Sequence, residues 1–181
     1  MFCMFLADGF EETEALATLD VLRRAEINVQ TVGVTGKTVI GSHAIPVIAD
    51  VTIDNVNLND IDGVVLPGGM PGTTNLQNNQ KVLDCVMAAY KGNKPVCAIC
   101  AAPSVLGSLG VLKGKKATCF PGFEDKLLGA NVSSAGVVAD GNVVTAKGAG
   151  VSLEFGFKIT ELVKGKDVAD KLREIMQCNS L

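Results

Sequence analysis

The chain has 181 residues, of which 48% are hydrophobic and 19% charged. Its mean hydropathy is +0.33, which excludes a disordered chain and provides for a sizeable buried core, expected as one domain over residues 1–181. Sixteen basic and 19 acidic residues leave a net charge of −3, with 4% aromatics and no Trp. There is neither a basic stripe for nucleic-acid backbone nor a stacking platform for bases.

In chain order, Phe2 to Leu6 is a first strand. Asp8, Glu11 and Glu12 follow too soon for a signal peptide. No segment approaches the roughly 18 apolar residues of a membrane span, so a cytoplasmic location is the expectation. Glu11 to Ala25 is a helix with Ala15, Leu19 and Leu22 on one face and carboxylates in its first turn. Asn28 to Val34 is a second strand, and Thr38 to Ile40 and Pro46 to Ala49 are short strands around a turn. Gly63 to Leu66 is a buried strand that stops at Pro67-Gly68-Gly69. Asn78 to Tyr90 is a helix, Pro95 to Ile99 a buried strand, and Ala102 to Leu109 a helix with Pro103 near its first turn. Val137 to Ala139 and Val143 to Thr145 flank the hairpin signal Asp140-Gly141-Asn142. Helices over Val151 to Val163 and Val168 to Met176 close the chain. This β-α alternation predicts an α/β domain with a mainly parallel sheet covered on both faces. In such sheets ligands bind outside the carboxyl ends of the strands, here Ala7 to Gly9, Pro67 to Gly69 and Cys100.

The six cysteines are Cys3, Cys85, Cys97, Cys100, Cys119 and Cys178. Cys100 ends an apolar strand at an abrupt turn into a helix, the arrangement of a nucleophile elbow. A helix N-terminus and its free N–H groups lower a thiol pKa, so Cys100 is the candidate nucleophile, whereas Cys97 inside the strand reads as core. The pair also has C-x-x-C spacing, but a dithiol site usually carries both sulfurs in the turn and the first helical turn. Zinc is disfavoured because no second C-x-x-C exists and His43 is the only histidine. Gly33-Val34-Thr35-Gly36-Lys37-Thr38 has two residues between its glycines, not the four of a Walker A loop, and reads as a turn. No histidine follows Cys100, which argues against a Cys-His protease or amidotransferase pair. The cluster Glu11, Glu12 and Glu14 reads equally as a dipole-favoured helix start or as part of a site.

Five segments together resemble the DJ-1/ThiJ/PfpI superfamily, and most resemble its DJ-1 and YajL branch. They are Ala7-Asp8-Gly9-Phe10-Glu11-Glu12-Thr13-Glu14, Asp20 to Ala25, Val64 to Gly69, Ala98 to Pro103, and Lys147-Gly148-Ala149-Gly150. The resemblance implies a flavodoxin-like three-layer α/β sandwich, similar to class I glutamine amidotransferases, that forms a homodimer. It implies that Cys100 is the reactive cysteine, that Glu14 hydrogen-bonds its sulfur, and that the N–H groups of Gly69 and Ala101 form an oxyanion pocket. Arg24 and His43 are placed near the partner subunit's pocket. Similar members are described as glutathione-independent glyoxalases and as deglycases acting on glyoxal or methylglyoxal adducts. They are also described as peroxide sensors and redox-regulated chaperones. No metal or organic cofactor is implied, and no membrane or sequence-specific nucleic-acid partner. The PfpI-like proteases carry His directly after the nucleophile, where this chain has Ala101. Several members carry a further His in a Thr-His-Pro context, where this chain has Phe120 between Cys119 and Pro121. A proton-transfer role for that His does not carry over.

Overall fold

The computed structural model describes residues 1–178. Its strands are β1 (Phe2–Leu6), β2 (Val29–Gly33), β3 (Thr38–Ile40), β4 (Pro46–Ile48), β5 (Val51–Thr52), β6 (Gly63–Leu66), β7 (Val96–Ile99), β8 (Lys116–Ala117), β9 (Asn131–Val132), β10 (Val137–Asp140) and β11 (Val143–Ala146). The helices are α1 (Glu12–Arg24), α2 (Gly72–Gln77), α3 (Gln80–Lys91), α4 (Pro103–Ser108), α5 (Ser152–Lys164) and α6 (Lys166–Ile175).

Seven strands form the main sheet in the order β10-β11-β7-β6-β1-β2-β5. All its pairs are parallel except β10 with β11, the edge hairpin turning at Gly141. Parallel strands joined by crossover helices are buried on both faces and so consist of continuous apolar runs. Accordingly Val96, Cys97, Ala98 and Ile99 are each 0% exposed. Val96 and Ala98 pack with Leu76, Val82, Val105 and Leu106 of α2, α3 and α4. Cys97 and Ile99 face the other layer, with Ala15 and Leu22 of α1, Phe155 and Phe157 of α5, and Leu172 of α6. The result is the expected three-layer α/β sandwich. Among the described residues no helix is long and apolar enough to cross a membrane.

The differences from the sequence reading are local. The segment after Pro67-Gly68-Gly69 is helical from Gly72, so α2 precedes a helix that begins at Gln80 rather than Asn78. Gly, two Thr and Asn are poor helix formers, and no side chain caps α2. Tertiary contacts hold it instead: Thr73 and Leu76 are buried, and the Asn75 amide donates to the Asp8 carbonyl at 2.8 Å. The edge strand β5 is only two residues long and pairs with Val32 and Gly33, too short for a periodicity to register.

Helices α1 and α5 pack at close range because Gly156 has no side chain. A Cβ there would stand 2.8 Å from Val21 Cβ, an atom fixed by its own helix. Helix propensity favours Gly156→Ala by about 1 kcal/mol, while overpacking against fixed atoms costs about 1–3 kcal/mol. Gly156→Ala is therefore expected to lower the denaturant midpoint of the native chain. In a Val21→Gly background, where that Cβ is absent, it is expected to raise it. The same sign in both backgrounds would contradict this packing.

Candidate active site

The chain passes from β1 to β2 on one side of β1 and resumes on the other side with β6. Helix α1 then covers one face and α2 and α3 the other. Where connections diverge in this way a crevice opens at the strand ends. Backbone hydrogen bonds stitch its walls together: Glu11 N–H donates to the Gly68 carbonyl at 2.9 Å, and Gly72 N–H to the Gly9 carbonyl at 3.2 Å.

Cys100 stands at the end of β7 with φ of +64°, a left-handed conformation that strains a residue with a side chain by on the order of 1–3 kcal/mol. The surroundings enforce it from both sides. Its N–H donates to the Ala146 carbonyl at 2.9 Å, and its carbonyl accepts from Phe120 N–H at 2.8 Å. The predicted elbow is thus present, and it turns the half-buried thiol out of the strand direction. The N–H groups of Gly69 and Ala101 point at the sulfur. Helix α4 beyond it has only six residues, so these two N–H groups, rather than a long helix dipole, are the local positive ends.

Glu14, in the first turn of α1, is 1% exposed and hydrogen-bonds the Cys100 sulfur. Its Oε2 accepts from Gly68 N–H at 2.8 Å, and Ala149 N–H, beyond β11, also donates to the carboxyl. Its backbone N–H donates to Glu11 Oε2 at 2.6 Å, so Glu11 caps the helix. Glu11, Gly68 and Glu14 form a closed ring of three hydrogen bonds that fixes the carboxyl against the sulfur. Gly68 is obligatory in that ring, because a Cβ would lie 2.6 Å from Cys100 Cβ and 2.8 Å from Glu14 Oε2. Gly69 has φ of +88°, and a Cβ there would stand 2.4 Å from the Glu11 nitrogen.

The pair is electrostatically coupled. Burial pushes the Glu14 carboxyl up to about 7, aided by the Glu11 charge and opposed by the Cys100, Gly68 and Ala149 hydrogen bonds. Burial, then the Glu14 charge and hydrogen bond, push the Cys100 thiol up to about 12 against the Gly69 and Ala101 N–H groups. The simple expectation of an acidified thiol therefore fails where Glu14 is a carboxylate. Two adjacent buried anions are disfavoured, and the successive values belong to the pair. Near neutral pH the pair retains one proton.

The sequence cluster of three glutamates divides into three roles. Glu12 is also buried but turns away from the sulfur. Its carboxylate accepts from His43 N–H at 2.7 Å and Ser42 Oγ at 3.2 Å, and bonds His43 Nδ1 at 2.8 Å. Burial alone would raise the Glu12 carboxyl, but these donors outweigh it and hold the group at about 2. The Glu12 carboxylate, through its hydrogen bond and its charge, raises the His43 imidazole in turn. Ligand atoms of Glu11, Glu12 and His43 come within 4.8 Å of one another, but those of Glu12 and His43 already bond each other. Arg24 lies at the far end of α1 from Glu14 and pairs with Asp20 at 2.7 Å. Neither Arg24 nor His43 touches Cys100 within this chain. Cys97, 0% exposed, is core as expected. No sequence reading assigned Ala149 or Glu11 its role; the Lys147-Gly148-Ala149-Gly150 motif was the available signal for Ala149.

The first proton leaves the folded pair at about 7, so the fold binds a proton that Glu14 of the unfolded chain releases above about 4.5. The associated stability is present below that pH and is lost as pH rises through about 7. Its size is on the order of 3 kcal/mol. The stability difference between the native chain and Glu14→Gln is expected to fall across this window in denaturant titrations. A difference independent of pH would contradict the buried, coupled carboxyl. Glu11→Gln, which keeps the cap but removes the charge, is expected to shift the window to lower pH.

The model of the DJ-1/PfpI family matches residues 2–162. The chain is 37% identical to protein dj-1beta of Drosophila melanogaster over 175 residues, covering 95% of this chain and 92% of that one. It is 41% identical to protein DJ-1 homolog B of Arabidopsis thaliana over 90% of its own length, but it spans only 37% of that longer protein. A protein of Pyrococcus horikoshii named deglycase PH1704 is 35% identical over 81% of this chain and 90% of its own. The solved structure of oxidised Toxoplasma gondii DJ-1 superposes with a TM-score of 0.92 at 30% identity, covering 97% of both chains. Matched along nearly its whole length in sequence and in fold, the chain belongs to the DJ-1/PfpI family.

Proposed function

We propose that the chain is a cysteine-dependent glyoxalase or deglycase that acts on 2-oxoaldehydes such as glyoxal and methylglyoxal, or on their adducts, without metal or glutathione. The observation that carries this reading is a half-buried thiol at a strained elbow, hydrogen-bonded to a buried carboxyl. The relative named a deglycase supports it. The reading takes residues 1–181 as one cytoplasmic domain.

In the reactive microstate Cys100 is the thiolate and Glu14 the acid. A thiolate is larger and more diffuse than a carboxylate, so its burial costs less hydration. The sulfur attacks the aldehyde carbon, an S–C bond forms, and the carbonyl π electrons move to oxygen. The Gly69 and Ala101 N–H groups follow the charge from sulfur to that oxyanion, and Glu14 protonates it. The Glu14 carboxylate then takes the hydrogen of the former aldehyde carbon as a proton, leaving an enediolate with its charge on the former ketone oxygen. The hydroxyl proton passes to the former ketone oxygen, and return of the Glu14 proton to the neighbouring carbon gives a thioester of Cys100. Water hydrolyses the thioester, releasing a 2-hydroxy acid and the thiol. Turnover of methylglyoxal to lactate is expected in the native chain and absent in Cys100→Ala. Glu14→Gln should keep alkylation of Cys100 by iodoacetamide but lose turnover by about 10²-fold or more. Turnover that survives Cys100→Ala would overturn the reading.

A second reading shares the same thiol: a peroxide-sensing chaperone in which Cys100 oxidises to sulfinate. The favouring observation is that Cys3, Cys85, Cys97 and Cys119 are buried while Cys100 is half-buried and faced by two N–H donors. Dilute peroxide should add two oxygens to the Cys100 peptide before the half-buried Cys178, and equal oxidation at Cys178 would reject this selectivity. The proposed assembly is a homodimer that brings Arg24 and His43 toward the partner subunit's pocket. The exposed Ile40, Ile45 and Ile48 on and beside the β3–β4 hairpin give such a contact apolar surface. Light scattering at micromolar concentration should report twice the monomer mass.

A further inference from the structure

Near Glu14 lies an open recess of about 320 Å³ whose walls are mostly carbon, lined by Phe120, Pro121, Lys147, Gly148, Ala149 and Val151 among others. Phe120 is 48% exposed, so its ring is open to a ligand. It is held by the site itself, since Phe120 N–H donates to the Cys100 carbonyl. Gly148 stands between ring and carboxyl: a Cβ there would lie 3.3 Å from Phe120 Cδ2 and 3.8 Å from Glu14 Oε1. The Ala149 N–H that completes the Glu14 carboxyl belongs to the same wall. The ring and the Glu14 carboxyl thus both approach Gly148, and the recess offers an apolar neighbour to a group that projects past Gly148 from the reacting carbon.

Resting on the proposed activity, we infer that Phe120 determines specificity, its ring and this recess selecting 2-oxoaldehydes with an apolar or aromatic substituent on the ketone carbon. Methylglyoxal and phenylglyoxal place a methyl and a phenyl group there, whereas glyoxal places only hydrogen. An added methyl in an apolar pocket gives discrimination of about 10-fold or more. Phe120 touches the substituent and not the reacting atoms, so its replacement changes the ratio between substrates more than the chemistry common to them.

The test compares kcat/KM for glyoxal, methylglyoxal and phenylglyoxal in the native chain, Phe120→Ala and Phe120→Leu. The native chain should favour methylglyoxal over glyoxal by about 10-fold and phenylglyoxal by at least as much. Phe120→Ala should bring both ratios toward one, and Phe120→Leu should retain part of the methylglyoxal preference. Ratios unchanged in Phe120→Ala would overturn the inference. A parallel measurement needs no turnover: rates of Cys100 alkylation by N-benzyl iodoacetamide and by iodoacetamide, each divided by its rate with N-acetylcysteine. A preference for the benzyl reagent that is lost in Phe120→Ala supports the apolar subsite, and a ratio equal in both proteins overturns it. If no 2-oxoaldehyde is consumed, the proposed activity fails while the alkylation ratio still decides the role of Phe120.

Discussion

A carboxyl group buried against a thiol is the constraint on which the rest of the site depends. Glu14 is 1% exposed and touches the Cys100 sulfur, so the two cannot both be anions without a large penalty. Near neutrality one proton has to remain with the pair, within hydrogen-bonding reach of both atoms. That requirement accounts for the polar groups supplied from otherwise apolar walls. Gly68 and Ala149 donate to the carboxyl, Gly69 and Ala101 face the sulfur, and Glu11 fixes the helix turn that carries Glu14. These groups come from the segments after β1, β6, β7 and β11, and only a parallel sheet with a reversal of strand order brings those segments together.

Close approach is bought with missing side chains and local strain. Gly68 lies where any Cβ would collide with both Cys100 and Glu14, and Cys100 accepts a left-handed φ because Ala146 and Phe120 hold its backbone from either side. The sandwich provides the rigidity that makes this possible. Phe155 and Phe157 fill one interlayer space, while the continuous apolar strands β6 and β7 fix the ends from which the turns depart. Strain of this kind persists only where the surroundings over-determine the conformation.

The parts of this design that reside in local pattern were legible in the sequence. The buried run Val96 to Ile99 ending at a cysteine marked the elbow, and Cys97 inside the strand was identified as core for the same reason. Glu14 was singled out from its neighbours only by family resemblance, because Glu11, Glu12 and Glu14 are equivalent as first-turn carboxylates. Their separation into a cap, a His43 partner and a sulfur contact depends on which face of α1 meets Gly68 and which meets the loop at Ser42 and His43. Those are long-range contacts that helical periodicity does not encode. Helix α2 was hidden for a similar reason, since its residues favour a loop and buried contacts hold it as a helix. The resemblance marked Phe120 as the place of a His in other members but not the apolar wall it forms, because that wall needs Gly148, distant in sequence, to lie close to the ring.

The location of the shared proton is the most direct test of this account. Thiolate absorbance in the ultraviolet and the infrared band of a protonated carboxyl can be followed together through a pH titration. Subtracting Cys100→Ala assigns the first signal, and subtracting Glu14→Gln assigns the second. The account predicts that both signals coexist near neutral pH and that the carboxyl band is lost only as the second proton leaves, well above neutrality. A site in which Glu14 is fully ionised at neutral pH while Cys100 shows no thiolate would contradict it.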